Sequence, residues 1–374
     1  MNGNSVLITF LGNIHYDTRT FNFYKTFSEK GFDVEVVSFD WLTGGFRTER
    51  GKISVYKLSK EYSSILFYLL FSFIISFRII FSKAKIIFAE DVYTLPFCVI
   101  FGKLKGAQIF YDSREVYGHL AGLGGKKILQ SVLGKIENLF IRHTTKVITT
   151  GPLDSAHIEK EYNLEETVVI RNLPLSTEIK NPFDFRNHYN LPPDVKILLY
   201  QGVILHGRGL KLIYDILPEL DNCVLVVIGG GEYKNYYEEL SKEKNLGEKV
   251  YFYGKINQKE LLSYTAGADI GLSLIENLSL SYYYALPNKM FEYISVGVPV
   301  FVSNFPQMKD AVDKYDVGAY CDPENRGELI AGLKKLIEKD DHRKQLKENC
   351  LKAAKELNWE KEIEKLLPYI IIPK

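Results

Sequence analysis

The stretch Asn181-Pro182-Phe-Asp-Phe-Arg-Asn-His-Tyr-Asn-Leu-Pro192-Pro193 interrupts a chain that otherwise alternates short apolar runs with helical patterns. Prolines and asparagines at this density break helices and central strands. Ahead of the break lie the strand candidates Ser5–Phe10, Asp33–Ser38, Ile53–Leu58, Lys85–Ala89, Gln108–Tyr111 and Lys146–Thr149. Helical patterns separate most of them, the first running through Phe21–Lys30 and ended by Gly31. Beyond the break the rhythm restarts with Ile197–Tyr200, Val224–Ile228, Val250–Tyr253, Ile270–Leu274 and Val298–Val302. Strands alternating with helices specify a mostly parallel sheet covered on both faces. The predicted fold is therefore α/β, with two doubly wound domains over 1–187 and 188–356. The last helical pattern, from Asp340 to about Leu367, is interrupted at Asn358-Trp359. That interruption suggests a bend, with 357–374 crossing back to the first domain.

The 374 residues suffice for about two to three domains, each able to bury its own core. A composition of 46% hydrophobic and 25% charged residues excludes a disordered or collagen-like chain. With 47 basic against 46 acidic side chains, a nucleic-acid clamp is excluded and no nucleic-acid partner is expected. Four scattered cysteines without a CxxC indicate neither a zinc site nor a disulfide framework, and point to a reducing, cytoplasmic setting. The N-terminus reads directly into a strand, with no signal-peptide pattern ahead of it.

The near-zero net charge conceals two unlike halves, +4 over 1–190 and −3 over 191–374. Residues 52–146 alone carry 14 basic and 6 acidic side chains. Inside that window, 63–82 is the most apolar stretch of the chain. Three readings stay open for it. A membrane-spanning helix has the length, but Arg78 and the internal serines weaken it. A buried or half-buried helix is the second. The third is a helix lying in the membrane interface, helped by Lys57, Lys60, Arg78, Lys83 and Lys85. The third would dock the domain on an anionic membrane.

In open parallel sheets ligands bind beyond the carboxyl ends of the strands, so the loops after strands carry the candidate chemistry. The strongest segment is Leu286-Pro287-Asn288-Lys289-Met-Phe-Glu292-Tyr-Ile-Ser-Val-Gly297-Val-Pro299. Pro287 fits a first helical position and Gly297 the position just past a helix end. The helix so defined starts with Asn288, Lys289 and Glu292 in its first turns. Its free N–H groups and dipole favour phosphate, and Lys289 adds a full charge. The Glu292 carboxylate could take a ribose diol, or else form an ordinary i,i+3 pair with Lys289. A second loop, Gln201-Gly202-Val-Ile-Leu-His-Gly207-Arg208-Gly209, would let backbone approach a ligand while the Arg208 fork binds diphosphate; a plain turn is the other reading. A third, Gly229-Gly230-Gly231, lacks both the P-loop lysine and the GxGxxG spacing.

Taken in order, Gly202…Gly207-Arg208-Gly209, Gly229-Gly230-Gly231, Val250-Tyr-Phe-Tyr-Gly254, Ala268-Asp269-Ile270 and Leu286-Pro287-Asn288-Lys289-Met-Phe-Glu292 resemble the family 4 retaining glycosyltransferases of GT-B fold, in a branch with a Pro-Asn-Lys-x-Phe-Glu segment. The resemblance is close over about 200–302 and loose elsewhere. It implies two Rossmann-like domains facing a cleft, with a nucleotide-sugar donor on the C-terminal domain and a glycan or lipid-linked acceptor on the N-terminal one. It places Arg208 at the family's diphosphate-binding lysine and Glu292 at the second glutamate of the E-x7-E motif, the ribose ligand. Gly202, Gly207, Gly209, Gly229, Gly230, Gly254, Leu286, Pro287 and Asn288 complete the implied donor site. Two departures stand out, since the motif's first glutamate falls at Tyr284 and the arginine of the first glycine loop at Val203.

In the first domain, Tyr111-Asp112-Ser113-Arg114-Glu115 resembles the family's Tyr-Asp-Ser-His-Glu, with Arg114 where the histidine near the donor sugar would be. Glu90-Asp91 similarly resembles the family's His-Asp, and Asp17-Thr18-Arg19 after Gly12 resembles its first loop. The resemblance thus implies catalytic roles for Arg208, Lys289 and Arg114, with Gly12, Asp17, Arg19, Glu90, Asp91, Asp112 and Glu115 on the acceptor side. No DxD occurs, so neither a metal nor any other cofactor is expected, the nucleotide sugar being substrate. The implied activity is a hexosyltransferase type, metal-independent and retaining, in polysaccharide or lipid-linked glycan assembly. The enzyme would be peripheral on the inner face of the plasma membrane. A GT-B nucleotide-sugar epimerase and a non-catalytic glycosyltransferase-like subunit are the alternatives.

Overall fold

A computed structural model describes residues 4–40, 48–50, 52–59, 63–120 and 126–371. Lys60 lies outside the described residues. The chain divides into two compact units, Met1–Arg171 with Ile363–Lys374, and Asn172–Glu362.

Unit 1 runs β1 (Ser5–Phe10), α1 (Thr18–Glu29), β2 (Asp33–Asp40), β3 (Thr48–Arg50), β4 (Ile53–Lys57), α2 (Ser64–Phe81), β5 (Ile86–Ala89), α3 (Leu95–Leu104), β6 (Gln108–Ser113), α4 (Lys127–Ile141), β7 (Lys146–Thr149), α5 (Pro152–Tyr162) and β8 (Val168–Val169). The strands form one sheet in the order β3-β4-β2-β1-β5-β6-β7-β8. Every pairing is parallel except β3 with β4. β1 and β5 are apolar at nearly every position because helices cover both faces. On one face, Phe23 and Phe27 of α1 pack on Phe88. On the other, Phe67, Phe71, Ile75 and Ile79 of α2 join Leu95 and Cys98 of α3 in a second layer of core. Burying each of these α2 side chains contributes about 1.5–3 kcal/mol.

Unit 2 begins with α6 (Phe185–His188) and continues β9 (Lys196–Val203), α7 (Leu210–Ile216), β10 (Cys223–Gly230), α8 (Lys234–Glu243), β11 (Val250–Gly254), α9 (Gln258–Thr265), β12 (Ile270–Ser273), α10 (Leu280–Tyr283), α11 (Asn288–Ser295), β13 (Val300–Ser303), α12 (Pro306–Tyr315), β14 (Gly318–Cys321), α13 (Arg326–Glu338), α14 (Asp340–Ala353) and α15 (Trp359–Glu362). Its sheet is ordered β11-β10-β9-β12-β13-β14, all parallel. Omitting the edge strands β3 and β8, unit 1 has the same order. In each unit the strand order reverses once, between β1 and β5 and between β9 and β12. Crevices open at such switch points, beyond the carboxyl ends of the strands.

Two boundaries differ from those read in the sequence. The units divide at Arg171/Asn172 rather than 187/188, because the segment before α6 is tied into unit 2. Phe183 stacks on Tyr264 at 4.3 Å, its N–H donates to the Ser263 carbonyl (3.0 Å), and Arg186 pairs with Asp269. The portion that joins unit 1 is Ile363–Lys374 rather than 357–374. The final helical pattern is two helices, α14 and α15. The buried Trp359 that opens α15 donates its N–H to the Pro174 carbonyl (2.9 Å), which holds the bend within unit 2.

Candidate functional site

In unit 2 the candidate residues gather around the β9/β12 switch point. β9 ends at Gln201-Gly202-Val203, and β10 follows it in register through Gly229↔Gly202. A Cβ added at Gly229 would fall 1.9 Å from the Gly202 carbonyl oxygen, so only glycine allows the two strand ends to run this close. α11 enters below. Pro287 stands at its cap in extended backbone, one position earlier than its sequence reading, and Gly297 follows the helix at φ +77. The Tyr293 hydroxyl donates to the carbonyl of Leu199 (3.0 Å), lies 3.3 Å from that of Leu272, and accepts from the Gln201 N–H (3.1 Å). Its ring lies where a side chain at residue 271 would be, the notional Cβ of Gly271 coming within 2.2 Å. Tyr293, in the second half of α11, thereby ties the helix to both strands flanking the switch.

Two cations stand above this floor. The Lys289 ammonium lies 4.1 Å from the centre of the Tyr200 ring. The Arg208 guanidinium lies 4.5 Å from that of Tyr282 and donates from Nε to the Tyr282 hydroxyl (3.1 Å). Neither forms a salt bridge among the described residues. Burial, then the charge of Arg208, pushes the Lys289 ammonium down to about 7, with Glu292 opposing. Arg208 close enough to lower the Lys289 ammonium, with each cation on an aromatic face, is an arrangement suited to a doubly charged anion.

Glu292 lies one turn into α11 and is buried, with Oε2 accepting from Gln201 Nε2 (2.5 Å). Gln201 in turn accepts from the Thr265 hydroxyl (2.8 Å). Burial raises the carboxyl of Glu292, against hydrogen bonds from Gln201 and Gln258 and the charge of Lys289. The glycine loops surround these groups. Gly207 sits under Leu278, Gly209 caps α7, the Lys255 chain crosses Gly230, and Gly254 closes β11. Half-buried Leu286 and Asn288 flank Pro287 at the entry to α11. Sequence reasoning placed Arg208, Lys289 and Glu292 together but missed their supports Tyr200, Tyr282, Tyr293, Gln201, Gln258 and Thr265. Gln201 had one signal, a polar residue closing the apolar run Ile197–Tyr200.

In unit 1 the loops after β1, β5 and β6 meet in a closed ion network. The buried Arg19 makes a bidentate pair with buried Asp112 (2.6 and 2.7 Å) and donates to the Ile170 carbonyl (2.7 Å). Arg114 reaches Asp17 (2.9 Å), Glu90 (2.6 Å), Asp112 (3.3 Å) and the Thr20 hydroxyl (2.8 Å), over the Phe10 ring. Asp17 also caps α1 through the Thr20 N–H (2.7 Å). Burial would raise the Asp17 carboxyl, but Arg114 and the Thr20 bonds together hold it below its ordinary value. Burial pushes Glu90 up to about 8 despite Arg114, with Asp112 and Asp17 adding to the rise. Its Oε2 lies 2.5 Å from the Thr20 hydroxyl, while Oε1 is buried without a hydrogen-bond partner among the described residues. Three carboxyls face two guanidiniums in this cluster, and the upward shift of Glu90 favours its protonated form, which lessens the excess of negative charge.

Asp91 stands apart, accepting from the N–H groups of Leu11 (2.6 Å) and Thr94 (2.7 Å) to join the β1 loop to the start of α3. The Gly12 carbonyl accepts from the Phe39 N–H (3.0 Å), and Glu115 is exposed. The structure thus brings Asp17, Arg19, Glu90, Asp112 and Arg114 together, leaving Gly12, Asp91 and Glu115 outside the ion pairs described. Thr20, which links Asp17 to Glu90, was absent from the sequence reading.

Comparison with known proteins bears on both units. Residues 183–353 match the family model described as glycosyl transferases group 1. A curated relative, an uncharacterized glycosyltransferase of Methanocaldococcus jannaschii, is 23% identical over 195 residues, covering 50% of this chain and 47% of the relative. The match therefore spans about half the length of that relative. Among solved structures, sucrose-phosphate synthase from Thermosynechococcus elongatus is similar with a TM-score of 0.79 at 16% identity, over 98% of both chains. Anabaena HepE in complex with UDP and glucose gives 0.71 at 13% identity, over 97% of this chain and 98% of that one. The group 1 glycosyl transferase match falls on the unit that holds Arg208, Lys289 and Glu292, and the chain as a whole has the GT-B fold.

Proposed function

We propose that the protein is a retaining, metal-independent glycosyltransferase of the family 4 type. It moves a sugar from a nucleoside diphosphate sugar to the hydroxyl of a glycan or lipid-linked acceptor. The observation that carries this reading is the pair Arg208 and Lys289, two cations on tyrosine faces at the β9/β12 switch point with no salt-bridge partner among the described residues. Positive charge held in place before the reaction stabilises a departing diphosphate without reorganisation. The bond between the anomeric carbon and the diphosphate oxygen breaks as that carbon bonds the acceptor oxygen. The acceptor proton passes to the departing phosphate, so this route needs no strong protein base. Arg208 and Lys289 hold the diphosphate, and Glu292, positioned by Gln201, takes the ribose. Arg114, whose N–H groups are committed to Asp17, Glu90, Asp112 and Thr20, acts as a positioning residue for the unit 1 loops. The enzyme works in the cytoplasm, peripheral to an anionic membrane.

Titration of the full chain with UDP- and GDP-sugars, with and without a panel of acceptors and with EDTA present, tests the proposal. Saturable donor binding and acceptor-dependent release of nucleoside diphosphate that persists in EDTA are expected. Donor consumed and converted with no acceptor present would assign an epimerase instead. The absence of both binding and turnover would overturn the reading.

A further inference from the structure

Helix α2 is apolar on both sides. Its inward row, Phe67, Phe71, Ile75 and Ile79, recurs every four residues and is buried in the core of unit 1. The opposite row, Leu69, Phe73, Phe77 and Phe81, also recurs every four residues and is 63, 68, 50 and 69% exposed. Phe73, Phe77 and Phe81 lie against one another, ring centres 6.3 and 4.5 Å apart. A surface helix in water carries polar groups on its outer face. Here the helix serines turn their hydroxyls back onto their own helix, Ser72 to the Tyr68 carbonyl (2.7 Å) and Ser76 to that of Ser72 (2.6 Å).

The single charge of α2 is on the sheet side. Arg78 pairs with Glu35 of β2 and donates to the hydroxyls of Ser54 (3.1 Å) and Tyr56 (2.7 Å). A helix whose inner row is packed in a sheet core and whose arginine is pinned to that sheet cannot also cross a bilayer. The outer row, by contrast, is free of charge along the whole helix.

The neighbouring elements extend this face. α3 packs beside α2, and α4 beside α3. α3 ends in the 81% exposed Leu104, and α4 exposes Ile128 and Leu139. Lysines border the apolar surface, with Lys83, Lys85 and Lys103 exposed beyond or at the ends of α2 and α3, and Lys126 and Lys127 exposed at the start of α4. From Ser63 to Gln108 the only acids are Glu90 and Asp91, and both are buried. Apolar area bordered by exposed lysines, with no exposed acid between, is complementary to the headgroup and acyl boundary of an anionic bilayer.

We infer that the α2–α3–α4 face of unit 1 docks on an anionic lipid bilayer, with α2 lying in the plane of the interface. The outward row Leu69, Phe73, Phe77 and Phe81 enters the acyl boundary while the lysines meet lipid phosphates. This deepens the acceptor side of the proposed function, on which it rests for the acceptor alone. An acceptor met at this surface is an amphiphile whose sugar is presented at headgroup level.

Flotation of the full chain with vesicles tests the inference. The protein is expected to float with mixed phosphatidylcholine and phosphatidylglycerol vesicles about ten-fold more than with phosphatidylcholine alone, and to be released by salt. The double variant Leu69→Glu with Phe73→Glu is expected to lose about ten-fold or more of that binding. The milder pair Leu69→Ser with Phe73→Ser, read alongside circular dichroism, separates lost docking from lost folding. Absence of flotation, or equal flotation with both vesicles, overturns the inference. A concentration-dependent dimer that Phe73→Glu abolishes, without vesicle binding, overturns it in favour of a second copy. Titration of the same samples with UDP keeps the two readings apart. Flotation intact with no nucleotide bound counts against the proposed function and leaves the docking surface standing.

Discussion

Arg114 in unit 1 and Arg208 in unit 2 each stand in a loop beyond the carboxyl end of a strand, and they do opposite things. Arg114 meets three carboxyl groups and a hydroxyl, so its charge is spent inside the protein. Arg208 meets a tyrosine ring and its hydroxyl, and its charge is left for a ligand. The guanidinium is the same; the company it keeps decides whether it holds a loop or binds an anion. Removing a charge from unit 1 should therefore cost stability, and removing one from unit 2 should cost activity.

The largest effect is expected at Asp112→Ala. It leaves the buried Arg19 without its bidentate partner and Arg114 one carboxylate short, a change worth about 3–5 kcal/mol of unfolding stability. Urea denaturation measures it, and a loss under about 1 kcal/mol would break the comparison on the unit 1 side. Next come Arg208→Ala and Lys289→Ala. Each should lower donor kcat/KM by about ten-fold or more, about 1.4 kcal/mol, while unfolding stability stays within about 0.5 kcal/mol. Normal rates with reduced stability would reverse the assignment of the two regions.

A pH profile sharpens the same contrast. Lys289 carries its charge below about 7 and loses it above, so donor kcat/KM in the free enzyme should fall as pH rises through about 7. Lys289→Arg, charged throughout, should flatten that limb, and an unchanged profile in the variant would exclude Lys289 as its source. The smallest effect is expected at Tyr282→Phe, which removes one hydrogen bond to Arg208 and keeps the ring beneath it. About 0.5–1 kcal/mol in donor affinity should be lost, read by calorimetric titration of UDP. A loss as large as that of Arg208→Ala would mean that the hydroxyl, and not the guanidinium, meets the ligand.

The two sheets were legible because buried parallel strands read as apolar runs. β9, β10 and β13 contain the runs Ile197–Tyr200, Val224–Ile228 and Val300–Val302. Of the edge strands, β11 was legible as Val250–Tyr253, but β8 and β14 were not. β8 is two residues long, and β14 is Gly-Ala-Tyr-Cys, with no alternation to mark it. The grouping of Arg208, Lys289 and Glu292 was legible because a glycine loop after a strand and a Pro-started helix both announce a strand end. The ion network was not, because its partners lie on loops 24 to 97 residues apart, as in Arg114 with Glu90 and with Asp17. Periodicity carries no information about which side chains meet across such distances. The unit boundary was misplaced for the same reason, since the aromatic contact of Phe183 with Tyr264 leaves no local mark.

Tyr293 carries a consequence for evolution as well as for binding. Its hydroxyl contacts backbone atoms of Leu199, Gln201 and Leu272, and no side-chain partner has to change for it to persist. Loops above it can exchange residues without altering the spacing of the strands from which they spring. A ring anchored to main chain alone lets recognition drift while the platform stays put.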